Sequence, residues 1–160
     1  MAIDLRSYLD EHKDFYLDLF FRLLRQPSVS TQRLGVVECA SLLRDTMEQL
    51  GVSGEVPTAG LPVVYGEAVT DPAAPAILMY GHYDVQPPEP YEAWVSPPFE
   101  PTIRDGRVYA RGSADNKGQL LAHLFAVHAL RSLGALPRLN YKFLFDGEEE
   151  MGSPSLPPFV

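Results

Sequence analysis

Apolar residues recur at helical spacing along SYLDEHKDFYLDLFFRLLR and stop at Pro27, which predicts a helix over 7–25 with Ser7 as its candidate N-cap. Between Thr31 and Leu50, Val36, Ala40, Leu43, Met47 and Leu50 fall at three- and four-residue steps, so a second helix is expected there, ended by Gly51. Short strands are predicted at 62–68 and 76–80. The second of these, AILMY, is a continuous apolar run suited to burial on both faces, and Gly81 is expected to break it. Six prolines between 87 and 101, with Trp94 and Phe99 among them, exclude helix and central strand and read as a long ordered loop. RDGRVYARG predicts a turn leading into a short strand, Gln119–Leu133 a third helix ending at Gly134, and residues 139–145 a further strand. Strands alternate with helices, so the fold class is α/β.

The length of 160 residues allows one domain with a packed core, and an apolar fraction of 46% with 21% charged residues excludes disorder as a description of the whole. Thirteen basic against 21 acidic side chains leave a net charge of −8, which argues against nucleic acid or an anionic membrane as partner. The N-terminal MAIDLRSYLDEHKD has no apolar signal region and no long uncharged apolar run occurs, so a soluble, cytoplasmic protein is expected. Cys39 is the single cysteine, which rules out an internal disulfide or a CxxC zinc site. Any metal must therefore use histidine and carboxylates. The tail PSLPPFV carries no capping element and reads as a cut through a longer protein.

Three polar clusters each follow a predicted strand: GHYD at 81–84, GSADNKG at 112–118 and DGEEEMGS at 146–153. In open α/β sheets ligands bind beyond the carboxyl ends of strands, so the clusters can converge there. In extended chain His82 and Asp84 point the same way, which lets a carboxylate hold one imidazole nitrogen while the other faces a metal. Asp115 lies in a glycine-flanked turn before a helix, where one carboxylate can bridge two ions. Glu148, Glu149 and Glu150 repel one another unless cations neutralise them, and adjacent residues in extended chain would send Glu149 and Glu150 to opposite sides, one to a metal and one to water. Taken singly, each motif also fits an ordinary solvated loop. Lys117 and Arg111 are assigned charge balance, and His123 and His128, about 140° apart around helix three, are assigned helix packing. His12 is expected on the surface, and Cys39 in the core without a basic neighbour to activate it.

The strings GHYDVQPPEPYEAWVSPPFEP, DGRVYARGSADNKGQ and FDGEEEMGSPSLPPF, in that order and spacing, with PSVS at 27–30, resemble the dinuclear zinc aminoacylase, carboxypeptidase and dipeptidase family over about residues 7–160. The resemblance implies a zinc-exopeptidase-like sheet flanked by helices, present here only in part, with residues 1–160 as the N-terminal part of the catalytic domain. It makes His82, Asp115 and Glu150 the metal ligands, with Asp115 as the bridge, Asp84 the carboxylate orienting His82, and Glu149 the general base. Glu148 matches no functional position. The Asp115–Asn116 peptide bond is expected to be cis. Two divalent ions are implied, zinc first, with cobalt or manganese as alternatives. Each ion would take one further ligand from sequence beyond residue 160, where the lid and dimerisation domain would also lie, so the fragment alone is expected to be inactive and its parent a homodimer. The implied activity is amide hydrolysis in dipeptides or short peptides through a metal-activated water. DVQPP and RGSADNKG favour the cytosolic dipeptidase and carnosinase-like branch. The alternatives are an N-acyl amino acid deacylase of the acetylornithine deacetylase or succinyl-diaminopimelate desuccinylase kind, and a non-catalytic fragment of either.

Overall fold

The computed structural model describes residues 4–56 and 62–160. The first predicted helix is two helices, α1 (Leu5–Glu11) and α2 (Lys13–Arg25). Asp4, rather than Ser7, caps the first: its carboxylate accepts the backbone N–H of Ser7 at 2.9 Å and the Ser7 hydroxyl at 2.7 Å. The break falls at His12, whose ring stacks on Tyr8 with centroids 4.0 Å apart and whose Nδ1 lies 2.9 Å from the Tyr8 carbonyl. His12 is therefore a half-buried joint, not a free surface residue. Helix α2 buries Tyr16, Leu19, Leu23 and Leu24 and ends at Gln26, which the following proline holds in extended conformation.

A 3-10 turn, Ser30–Gln32, leads to α3 (Val36–Gln49), so the second helix starts five residues later than predicted. Gly35 sets that start: it has φ +69°, and a Cβ there would lie 2.2 Å from the Pro27 carbonyl oxygen. The predicted end holds, with Leu50 as C-cap and Gly51 left-handed. Strand β1 (Ser53–Glu55) escaped prediction because it has three residues and no apolar pattern. It pairs antiparallel with β2 (Val63–Ala68).

Strand β3 (Ala76–His82) runs through Gly81 instead of ending there. Glycine is needed at 81 for close approach, since a Cβ would meet Asn116 Oδ1 at 2.8 Å. Thr102–Arg104 and Arg107–Tyr109 form a separate hairpin, β4 and β5, around Asp105 and Gly106, both at positive φ. The long proline loop before it includes a 3-10 turn at Tyr91–Ala93 and is tied by Trp94 Nε1–H to the Pro88 carbonyl at 2.7 Å. Helix α4 (Lys117–Ser132) begins two residues early, and β6 (Asn140–Asp146) completes the main sheet.

The sheet order is β1-β2-β6-β3, with β2 antiparallel and β3 parallel to β6. Helix α4 lies within the crossover between the parallel strands, as such a connection requires. It packs on β3, α3 packs on β1 and β2, and α2 packs on α4. Leu19 and Leu23, Leu43 and Met47, and Leu120 and Leu124 meet Val64, Phe143 and Phe145 in one core. The expectation that 76–80 is buried on both faces is wrong: Ile77, Leu78 and Tyr80 are exposed, because among the described residues β3 has β6 as its one strand neighbour and sits at the sheet edge. Among the described residues, no helix is long and apolar enough to cross a membrane.

Candidate metal centre

Parallel pairing sets His82 opposite Asp146, so β3 and β6 end at the same level and deliver the segments that follow them to one place. The Tyr83 N–H donates to the Asp146 carbonyl at 2.8 Å. Ser28, in the PSVS segment, donates its hydroxyl to the Tyr83 carbonyl at 2.6 Å and accepts the Val85 N–H on its own carbonyl at 2.9 Å. These bonds hold Asp84 fully buried beneath the turn that follows β6.

Asp84 is the centre of the arrangement. Its Oδ1 accepts the Glu149 N–H at 3.2 Å and its Oδ2 the Glu150 N–H at 3.1 Å, while Oδ1 also lies 3.3 Å from His82 Nδ1. Asp84 therefore orients the imidazole twice, through its own backbone carbonyl at 3.1 Å from Nδ1 and through its carboxylate, and the same carboxylate fixes the backbone of both glutamates. Burial disfavours a charged His82, but the Asp84 hydrogen bond and charge outweigh it and raise the imidazole pKa to about 9.

His82 Nε2 faces outward, 3.0 Å from Asp115 Oδ1 and 3.8 Å from Glu149 Oε2. Donor atoms of His82, Glu149 and Glu150 all lie within 4.8 Å of one another. The two glutamates do not sit in extended chain as expected, but in a 3-10 turn, Glu149–Met151, and a carboxylate oxygen of each lies within 4.8 Å of the other instead of facing opposite sides. Glu149 turns toward His82, and Glu150 accepts the Gln86 side-chain amide at 2.8 Å. Asp115 precedes a cis peptide bond to Asn116. Its carboxylate is 74% exposed, open to a ligand on the side away from the core. Three carboxylates around one imidazole, buried on one side and open on the other, are the hard oxygen and nitrogen donors a divalent ion takes, and the residues present fit such a group.

Lys117 and Arg111 do more than balance charge. Lys117 is fully buried, and its ammonium donates to the Leu23 carbonyl at 3.0 Å and the Gln26 carbonyl at 2.7 Å, clamping the end of α2 to the start of α4. Arg111 donates to the Pro87 carbonyl at 3.2 Å and lies over the Trp94 ring at 5.2 Å. Cys39 is buried as expected, but a basic neighbour is present after all in Lys117, and burial still pushes the thiol pKa up. His128 lies 2.9 Å from the Tyr16 hydroxyl, away from the site.

Gln86 and Asp146 were missed by sequence reasoning. Asp146 accepts the Glu148 N–H at 2.8 Å, an Asx turn that the string FDGE could have signalled. The role of Gln86 needs the fold, since Gln86 and Glu150 are 64 positions apart. Glu148 has a buried Oε2 with no hydrogen-bond partner among the described residues, and its carbonyl accepts the N–H groups of Met151 and Ser153.

A family model described as Peptidase family M20/M25/M40 matches residues 78–160, the span that holds His82, Asp84, Asp115, Glu149 and Glu150. The chain is 32% identical over 171 residues to a Beta-Ala-His dipeptidase of Rattus norvegicus, covering 96% of this chain and 35% of that protein. It is 32% identical over 176 residues to the Cys-Gly metallodipeptidase dug1 of Schizosaccharomyces pombe, covering 100% and 37%. Among solved structures, an M20 family metallo-carboxypeptidase from Sulfolobus solfataricus superposes with a TM-score of 0.84 at 42% identity, over 91% of this chain and 33% of that one. The chain thus spans about a third of the length of the curated relatives it matches. The family match covers 83 of 160 residues and every residue of the candidate centre, and the chain belongs to Peptidase family M20/M25/M40.

Proposed function

We propose that residues 1–160 are the N-terminal part of the catalytic domain of a dinuclear zinc hydrolase that cleaves the amide bond of dipeptides or other short peptides. The observation that carries this reading is the convergence of His82, Asp115, Glu149 and Glu150 above one buried carboxylate, Asp84. The peptidase names of the three relatives support peptide over other amide substrates.

In this reading His82, Asp115 and Glu150 would hold the metals, with the exposed Asp115 carboxylate available to both. Two divalent ions bound there would supply Lewis acidity toward the scissile carbonyl and lower the proton affinity of an attacking water. Glu149 takes the proton of that water and passes it to the leaving amine, the carbon–nitrogen bond breaking as the new carboxylate forms. Asp84 keeps the His82 Nδ1 side engaged, so that Nε2 is the nitrogen presented outward. Zinc suits the nitrogen and carboxylate donors, as do cobalt and manganese. The net charge of −8 and the single cysteine support a small-peptide enzyme of the cytoplasm acting on neither nucleic acid nor membrane, and the family resemblance supports a homodimer.

Dipeptide hydrolysis by the full-length protein, measured before and after exhaustive chelation, tests this. Chelation abolishes turnover, and zinc, cobalt or manganese restores part of it. A rate that survives chelation overturns the reading, and a preference for N-acyl amino acids over dipeptides in the same assay replaces peptidase by deacylase.

A further inference from the structure

Gln86 is exposed, yet its side-chain amide is directed at one residue of the turn: Nε2 lies 2.8 Å from Glu150 Oε2 and 3.4 Å from the Glu150 carbonyl oxygen. The Glu150 N–H is taken by Asp84 Oδ2, so residues 84–86 hold Glu150 at its backbone nitrogen, its carbonyl and its carboxylate. Glu149 is held at its backbone nitrogen by Asp84 and at its carbonyl by the Gly152 N–H at 2.9 Å, but its carboxylate stands 3.8 Å from His82 Nε2, beyond hydrogen-bond reach.

The loop behind Gln86 is anchored. The Pro87 carbonyl accepts Arg111, the Pro88 carbonyl accepts Trp94 Nε1–H, and Arg111 stacks over Trp94. A proline directly after Gln86 restricts its backbone to extended conformations. The amide is thus presented from a fixed base rather than by a mobile surface chain.

We propose that Gln86 is a positioning residue that sorts the two adjacent glutamates into different roles. By donating to one oxygen of Glu150 it pins that carboxylate and leaves the other oxygen for a metal, while the Glu149 carboxylate, with no such donor among the described residues, keeps the freedom that a proton-transferring base needs. A neutral amide suits this task because it orients a carboxylate without competing with a cation for the site, as Lys or Arg would. This rests on the dinuclear hydrolase reading above.

The test uses the full-length protein with Gln86→Leu, which removes the donor at similar length, and Gln86→Asn, which draws the amide back by one methylene. Metal affinity is read by competition with a chelator, and the cobalt-substituted protein by its visible spectrum. Both variants lose about 10- to 100-fold in affinity for one of the two metals and leave the other unchanged. The cobalt spectrum changes, and kcat falls but recovers at saturating metal while KM stays constant. Gln32→Leu, a surface glutamine near Glu89, changes none of these. Unchanged affinities and spectrum in both Gln86 variants, or equal weakening of both metals, overturn the proposal while the hydrolase reading stands. A wild-type protein that binds no metal overturns the reading itself and this proposal with it.

Discussion

The two ends of β3 invert the usual relation between polarity and burial. At its start the strand exposes apolar side chains, with Leu78 58% exposed, whereas His82 at its end and Asp84 just beyond are 6% and 0% exposed. The apolar end sits at the sheet edge and, among the described residues, lacks a second strand neighbour. At the polar end His82 and Asp84 both have partners: His82 has Asp84 and Asp115, and Asp84 has two backbone N–H groups besides His82. A polar group can be buried when its hydrogen bonds are made, and an apolar run is buried only where another element covers it. The difference teaches that hydropathy along a strand proposes burial and the neighbouring elements decide it.

Removing the partner that makes the polar end tolerable gives the largest expected effect. Asp84→Ala leaves the Glu149 and Glu150 N–H groups without their acceptor and takes the negative charge from beside His82 Nδ1, which keeps the residue 84 backbone carbonyl at 3.1 Å, and should cost about 3–5 kcal/mol of stability. The same variant of the full-length protein should lose about 10- to 100-fold in metal affinity. Urea denaturation and a metal titration check the two effects. A stable variant with intact metal binding would mean that the turn after β6 orders itself without Asp84.

Lys117 extends the comparison to a second buried charge. Lys117→Met keeps the apolar stem but orphans the Leu23 and Gln26 carbonyls, for a loss of about 1–3 kcal/mol by denaturation. At the other end of β3, Leu78→Thr in this chain should change stability by no more than about 0.5 kcal/mol, although it removes a larger apolar side chain. A large loss there would show that the exposed half of the strand is covered in solution.

The sequence carried the helices and the apolar strands because their periodicities are local, and the three polar motifs because each lies within a few residues. His82, Asp84, Asp115, Glu149 and Glu150 can be named as candidates from those motifs and lie close together in the structure, but the 3-10 turn at 149–151 and the second task of Asp84, holding the turn through two backbone bonds, depend on β3 and β6 ending side by side. The cap at Asp4 was misread because Ser7, also a good capping type, stands three residues later and donates to it. The break at His12 has no proline or glycine to announce it. Exposure of 76–80 depends on strand order, which hydropathy does not encode.

Two histidines give the smallest and finest test. In the metal-free protein, burial, with Arg131 and His12 nearby, lowers the His128 pKa, whereas Asp84 raises that of His82 to about 9. Imidazole proton resonances followed against pH should therefore titrate on opposite sides of 6.5. Because the folded pKa of His128 is depressed, its contribution to stability is present above about pH 6.5 and is lost as pH falls from there through the folded value. His128→Gln should flatten that acid limb slightly. Coincident titration of the two rings would remove the distinction between a histidine held by a carboxylate and one buried without one.

If Asp84 assembles the proposed two-metal centre, Glu149 stands apart from both ions as the base. An X-ray data set collected at the zinc absorption edge, on crystals of the full-length protein grown with zinc, tests it most directly. Two anomalous peaks are expected, with His82 ligating one, Glu150 the other, Asp115 shared by both and Glu149 on neither. A single peak, or zinc held through Glu149 with Glu150 turned away, would contradict it.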